Sequence, residues 1–183
     1  VVDRDYCGGS GPLGTACPAP EALPVPGRLS ARDLNHFTNG VSDSAGQIQF
    51  YQELFGLPVQ VYQASTPALG VGGGPQFLMF TGGGGGAQPG MLPRGSINHV
   101  CLTVEGFDTA EILATLADYG IPPRAEEESS AVPLRSSVSM RMPNRGGAPG
   151  GTPELYFSDP DGLRIQLQDT TYCGGDGLLG DVC

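Results

Sequence analysis

Apolar and polar positions follow one scheme twice along this chain. Leu34-Asn35-His36-Phe37-Thr38-Asn39-Gly40-Val41 has the composition of a strand. The spacing then becomes helical, with Ile48, Tyr51, Leu54 and Phe55 on one face. Ser44-Ala45-Gly46-Gln47 has capping-box spacing, which predicts a helix that opens on Ser44. Gly56 suits its C-terminal cap, and Pro58 cannot continue it. Strand character resumes over Val59-Gln60-Val61-Tyr62, and again from Pro75 to Thr81 between Gly-rich loops at 70–74 and 82–86.

The second half repeats the plan. A strand is predicted from Ser96 to Val104, and Asp108-Thr109-Ala110-Glu111 is a plausible helix start. Ile112, Leu113, Leu116 and Tyr119 make the apolar face, and Gly120-Ile121-Pro122 ends the helix as Gly56-Leu57-Pro58 ended the first. Strands follow near Ser137 to Met142, Glu154 to Phe157 and Leu163 to Gln168. Each half therefore reads β-α-β-β-β, an α+β chain. Residues 1–29 form an irregular N-terminal arm rich in Pro, Gly and Ala, and residues 124–131, with three consecutive glutamates, read as a solvated loop.

Composition narrows the partners. The 183 residues suit one compact domain or a pair of modules, and 39% hydrophobic residues are enough for a core. The 30 Gly and 17 Pro imply many loops. A net charge of −10 argues against nucleic acid, which needs clustered Lys and Arg, and its field favours a cationic ligand. No apolar run approaches the ~20 residues of a membrane span, and no signal-peptide pattern is visible.

The cysteines add a second repeat. Tyr6-Cys7-Gly8-Gly9-Ser10-Gly11-Pro12-Leu13-Gly14-Thr15-Ala16-Cys17 closely matches Tyr172-Cys173-Gly174-Gly175-Asp176-Gly177-Leu178-Leu179-Gly180-Asp181-Val182-Cys183. Four cysteines in matched Gly-rich segments read as disulfides and an oxidising compartment, secreted or periplasmic. Three connectivities are open, and a four-thiolate metal site is disfavoured because zinc sites use shorter spacing. Both segments also satisfy G-x-G-x-x-G. A dinucleotide site needs that motif between a strand and a helix, and neither copy has that context, so these glycines read as turn formers.

The chain has two histidines, His36 and His99, and the repeat aligns them, as it aligns Asn35 with Asn98 and Val41 with Val104. Imidazole is a common metal ligand and acid/base group, so two in register point to one shared site at the junction of the halves.

Several stretches carry a family resemblance. Phe50-Tyr51-Gln52-Glu53-Leu54-Phe55-Gly56-Leu57-Pro58-Val59 resembles a first helix ending in an F-Y-x-x-x-L-G signature. Phe157-Ser158-Asp159-Pro160-Asp161-Gly162-Leu163-Arg164-Ile165-Gln166-Leu167 resembles a D-P-D-G hairpin leading into a last strand. With the two Asn-His strands, residues 30–170 resemble the vicinal oxygen chelate superfamily of glyoxalases, extradiol dioxygenases and bleomycin and fosfomycin resistance proteins. The resemblance implies two βαβββ modules, at about 30–82 and 94–170, curled into a cupped mixed sheet around a metal. A Cys/Gly-rich arm at 171–183 would follow. The first- and fifth-strand ligands would be His36 and His99. The last strand normally supplies a glutamate, and Gln166 stands there; a further glutamate of the glyoxalase branch would fall near Leu78 or Met79.

The resemblance implies a metal-dependent lyase, isomerase or dioxygenase acting on a small molecule with vicinal oxygens. The cofactor would be a divalent Zn, Ni, Mn or Fe ion held by His36, His99 and Gln166. Gln166 weakens the case for iron, whose facial triad needs a carboxylate. Glu154 is the candidate base and shares a strand face with Tyr156. Tyr156 and Cys101, which shares a face with His99, are candidate pocket residues. The alternative is a metal-free binding or resistance protein. The expected partner is a small molecule, with no nucleic acid and no membrane span; a homodimer is compatible with this reading.

Local pairing of the cysteines, Cys7 with Cys17 and Cys173 with Cys183, is expected because each short loop closes without help from the rest of the chain. Cys101 is expected to stay a free thiol. Non-reducing peptide mapping checks this: a Cys7–Cys183 or Cys17–Cys173 peptide would establish a clasp between the arms instead.

Overall fold

A computed structural model describes residues 4–19, 21, 25–82, 95–129 and 132–183. The expected Gly-rich loop at 82–86 lies outside these residues beyond Gly82, as do Ser130 and Ala131 of the acidic loop.

The first half runs β1 (Ala31–Val41), α1 (Ser44–Phe55), β2 (Val59–Gln63), β3 (Thr66–Gly70) and β4 (Phe77–Gly82). The second runs β5 (Ser96–Val104), α2 (Thr109–Asp118), β6 (Ser136–Arg141), β7 (Thr152–Ser158) and β8 (Arg164–Asp169). All eight strands form one sheet in the order β2-β3-β4-β1-β5-β8-β7-β6. The pairings β1–β4 and β5–β8 are parallel, and the central pair β1–β5 is antiparallel. This is the curled α+β sheet of two βαβββ halves.

The β1–β5 register repeats the sequence symmetry. His36 faces Cys101 and Thr38 faces His99, and the offset between the halves converts one pair into the other. On the flanks, Thr38 lies beside Met79 of β4 and Cys101 beside Gln166 of β8. Met79 and Gln166 are therefore counterparts, one apolar and one polar.

Strand alternation sends apolar side chains to the helix-covered side of the sheet. There Val104, Leu155 and Leu167 pack with Ile112 and Leu116 of α2. In the other half, Val41, Leu69 and Phe80 pack with Ile48 and Tyr51 of α1. The opposite, inner face carries His36, His99, Glu154, Tyr156 and Gln166, all buried.

Details differ from the expected pattern. The cap of α1 is Asp43 rather than Ser44, and its carboxylate accepts from the Gly46 amide at 3.0 Å. Asp108 caps α2, accepting from the Ala110 and Glu111 amides. Gly56 closes α1 in the left-handed conformation at φ 66°, with its N–H on the Gln52 carbonyl. Leu54, Phe55 and Tyr119, expected on buried helix faces, are exposed, because α1 and α2 meet the sheet through narrower stripes. Strand β3 has no sequence signal: Pro67 and Gly70 bracket Ala68-Leu69.

The two Cys-bounded arms share one local fold. In each, the first cysteine and the second following glycine donate backbone N–H bonds to the same carbonyl, Gly14 in one arm and Gly180 in the other. Cys7–Cys17 and Cys173–Cys183 are disulfide-bonded, and Cys101 is free and buried. Gly14 and Gly180 have positive φ, and a Cβ at either would lie 2.4 Å from a tyrosine ring, Tyr6 or Tyr172. The arms differ in placement: Tyr6 is 52% exposed, whereas Tyr172 is 1% exposed on the inner face of the sheet. Five side chains hold the C-terminal arm there. Asn35, Gln60, Gln63, Arg141 and Thr152 donate to the carbonyls of Tyr172, Cys173, Gly174, Gly175 and Gly177.

Packing makes two leucines unequal. Leu116→Ala, in the core, should lower the unfolding free energy by about 2–5 kcal/mol. Leu54→Ala, on the exposed side of α1, should change it by no more than about 0.5 kcal/mol. Urea denaturation of both variants measures the contrast, and equal effects would contradict this packing.

Candidate functional site

The curl of the sheet encloses a cavity of about 440 Å³, lined by residues from both halves and the C-terminal arm. His36 and Thr38 come from β1, Met79 from β4, Asn98 and His99 from β5, Glu154 and Tyr156 from β7, Arg164 and Gln166 from β8, and Tyr172 from the arm. Gln63, Ser139 and Arg145 also line it.

The diagonal relation of His36 and His99 across β1 and β5 brings their Nε2 atoms to 3.2 Å. Each ring is oriented by the asparagine before it: His36 Nδ1 lies 2.8 Å from Asn35 Oδ1, and His99 Nδ1 lies 2.9 Å from Asn98 Oδ1. The asparagines are themselves fixed. Asn35 Nδ2 donates to the Tyr172 carbonyl at 2.8 Å, and Asn98 Oδ1 accepts from Arg164 at 3.3 Å. An amide oxygen only accepts, so each Nδ1 carries the imidazole proton. In the neutral rings both Nε2 atoms are then bare lone pairs that face one another.

Burial keeps the rings neutral. His36 is held well below the ordinary imidazole range by desolvation first, then by the neighbouring His99 and Arg141 charges. His99 is lowered to about 4 by desolvation and then by Arg164. The Gln166 side chain lies beside both rings and opposes these shifts. Gln166 Nε2 is left buried without a hydrogen-bond partner. Stacking completes the setting: His36 lies 4.3 Å from the Phe77 ring centroid at 12° between planes, with Tyr172 at 5.6 Å.

Two imidazole nitrogens and the Gln166 side chain thus line one cavity where a proton is disfavoured. That donor set fits a borderline divalent cation, since it offers two neutral imidazoles and one hard oxygen. Among the described residues, no group of three or more His, Cys, Asp or Glu side chains is arranged to hold a metal. Gln166 is therefore the third donor on which the fit rests.

Glu154 lies in the cavity wall, on the same face as Tyr156. Its Oε1 pairs with Arg141 Nε at 3.1 Å. Its Oε2 accepts from Tyr156 at 3.3 Å and Ser139 at 3.4 Å, with Arg145 at 3.9 Å. Arg141 is fully buried and ties this carboxylate to the Gly175 carbonyl of the arm at 2.9 Å and to the Gly146 carbonyl. Burial, with the Glu154 charge second, raises the Tyr156 phenol well above its ordinary value, so it stays a donor.

Cys101 does not line the cavity, contrary to its expected place among pocket residues. It shares the inward side with His99 but is fully buried, and burial pushes its thiol well up. Sequence reading also missed Tyr172, Arg164 and Arg145 as cavity residues. Only the repeated Asn-His pair gave advance notice of the two orienting asparagines.

No protein-family model and no curated protein matches the chain. Among solved structures, the chain is similar to homoprotocatechuate 2,3-dioxygenase from Brevibacterium fuscum, in complex with 3,4-dihydroxyphenylacetate. The identity is 17% and the TM-score 0.50, over 76% of this chain and 36% of that one. It is also similar to methylmalonyl-CoA epimerase from Mycobacterium tuberculosis, at 14% identity and TM-score 0.48, over 73% of this chain and 85% of that one. The chain thus spans about a third of the dioxygenase. The dioxygenase match shows a shared fold.

The two imidazoles give the site a pH signature. Their folded-state values lie below the unfolded value of 6.5, so the unfolded chain binds more protons on acidification. The stability they contribute should be complete above pH 6.5 and should fall as pH drops toward about 4, by roughly 3 kcal/mol for His99 alone. Urea midpoints of chelator-treated protein between pH 4 and 7 measure this. His99→Gln should flatten the dependence; an unchanged slope would count against neutral buried imidazoles.

Proposed function

We propose that this chain is a metal-dependent enzyme acting on a small molecule with vicinal oxygens. One observation carries the reading: two buried imidazoles with Nε2 atoms 3.2 Å apart at the wall of one cavity, each ring oriented through its Nδ1. His36, His99 and Gln166 would hold a divalent Zn, Ni, Mn or Fe ion. Such an ion, when bound, supplies Lewis acidity toward a chelating oxygen pair.

The chain's own residues do the rest. Asn35 and Asn98 keep the Nε2 lone pairs directed inward. Tyr172, Phe77 and Met79 exclude water from the His36 side. Glu154 is the one carboxylate among the lining residues and is the proposed proton acceptor, through Oε2, the oxygen not held by Arg141. Tyr156 donates to that same oxygen and is placed to pass a proton toward the cavity.

The neutral Gln166 favours Lewis-acid proton transfer, as in a lyase or isomerase, over iron-dependent oxygen activation, which uses a carboxylate in the triad. That the neighbouring folds include dioxygenases keeps ring-cleaving chemistry as a second activity to assay. The metal-free reading, a binding or resistance protein, has one observation in its favour. Gln166 Nε2 is buried without a partner beside the two rings, and an imidazole lone pair would satisfy it. The two disulfides support a secreted or periplasmic setting for either reading.

Metal analysis of tag-free protein, followed by calorimetric titration with Zn²⁺ and Mn²⁺, separates these readings. One ion per chain is expected. His36→Ala or His99→Ala should abolish binding, and Gln166→Glu should tighten it about tenfold, near 1.4 kcal/mol. Absence of any titratable ion, with Gln166→Glu equally inert, would leave the metal-free reading standing.

A further inference from the structure

The charge of the cavity runs against the charge of the molecule. The chain carries −10 overall. The residues that line the cavity include one carboxylate, Glu154, and two arginines, Arg145 and Arg164. Glu154 is already neutralised from behind by the buried Arg141 at 3.1 Å. Arg145, with a side chain 60% exposed, stands 3.9 Å from the other carboxylate oxygen. Arg164 has neutral partners: it donates to Asn98 Oδ1 at 3.3 Å, and its guanidinium carbon lies 3.8 Å over the Tyr156 ring. Stacking on Tyr156 and the bond to Asn98 hold its planar fork in place before any ligand arrives, which lowers the entropy lost on binding an oxyanion.

We infer that the substrate is a small organic anion, whose oxyanion group is bound by Arg164 and Arg145 while its vicinal oxygens face His36, His99 and Gln166. This rests on the function proposed above and narrows its substrate class. It also reverses the expectation from net charge, that the ligand is a cation. Local charge decides, because a focused field inside a low-dielectric cleft outweighs a screened one from the distant surface. Arg164 and His99 share Asn98 Oδ1 as their acceptor, so anion binding and imidazole orientation meet at one atom.

Three catechols with the same vicinal oxygens and different charge test this on the Zn²⁺-loaded protein by calorimetry. The anion 3,4-dihydroxyphenylacetate should bind at least about tenfold more tightly than neutral 4-methylcatechol, with the cation dopamine weakest. In the Arg145→Gln/Arg164→Gln variant the gap between anion and neutral compound should narrow to about twofold or less. Equal affinities, or dopamine binding best, would overturn the inference while leaving the metal site in place. Failure of all three catechols would count against the proposed function, and metal-free protein then decides the anion question. There, malonate but not malonamide should shift the Arg164 Nε–H resonance; no shift would overturn the assignment.

Discussion

The pairing of β1 with β5 is the contact on which this molecule depends. It joins the two half-sheets, because every other strand pairing lies within one half. Its register also makes the site. Side chains alternate across a sheet, so a slip of one residue would turn His99 to the helix-covered side, among Val104, Leu155 and Leu167. A slip of two would keep the face but break the diagonal relation that brings the two Nε2 atoms together. Fold and site are therefore specified by the same set of backbone hydrogen bonds.

The inner face then has to bury polar groups without orphaning them. Arg141 shows how. It is fully buried, and its fork reaches Glu154, the Gly146 carbonyl and the Gly175 carbonyl of the C-terminal arm. One charge thus compensates a buried carboxylate and ties the arm to β6 and β7. The asparagines do similar work for the imidazoles. Gln166 Nε2 and Gln168 Oε1 remain unpartnered on β8. Of these, Gln166 borders the cavity. An unpaired group in an otherwise satisfied network marks a place where binding has something to gain.

What the sequence made legible follows from how local each signal is. The repeat announced the alignment of the two histidines, because the matching Asn35-His36 and Asn98-His99 segments are visible in the string itself. Asp108 and Gly56 were legible as caps for the same reason. The cap of α1 was misplaced by one residue because Asp43 and Ser44 are both good caps, and only the bond to Gly46 distinguishes them. Strand β3 was invisible, since Thr66-Pro67-Ala68-Leu69-Gly70 has no alternation and Thr66 as its one β-branched residue; pairing on both sides makes it a strand. Arg164 and Tyr172 could not be read as cavity residues. Their places depend on contacts distant in sequence: Arg164 on Asn98, 66 residues away, and Tyr172 on Asn35, 137 residues away. The docked arm is the plainest case: two nearly identical segments have the same local fold, and only tertiary partners make one of them a wall of the cavity.

That wall is also late in time. Tyr172 follows every strand of the sheet, and the bond from Cys173 closes on Cys183. During synthesis, β1 to β8 leave the ribosome before the segment that stacks on His36. Without that segment the concave face would be an open trough, with His36 bared on the side that Tyr172 covers. The Cys173–Cys183 bond closes the arm on itself, and five side chains from the sheet hold it as the covering side. Burial of His36 is thereby completed by a segment that follows every strand of the sheet.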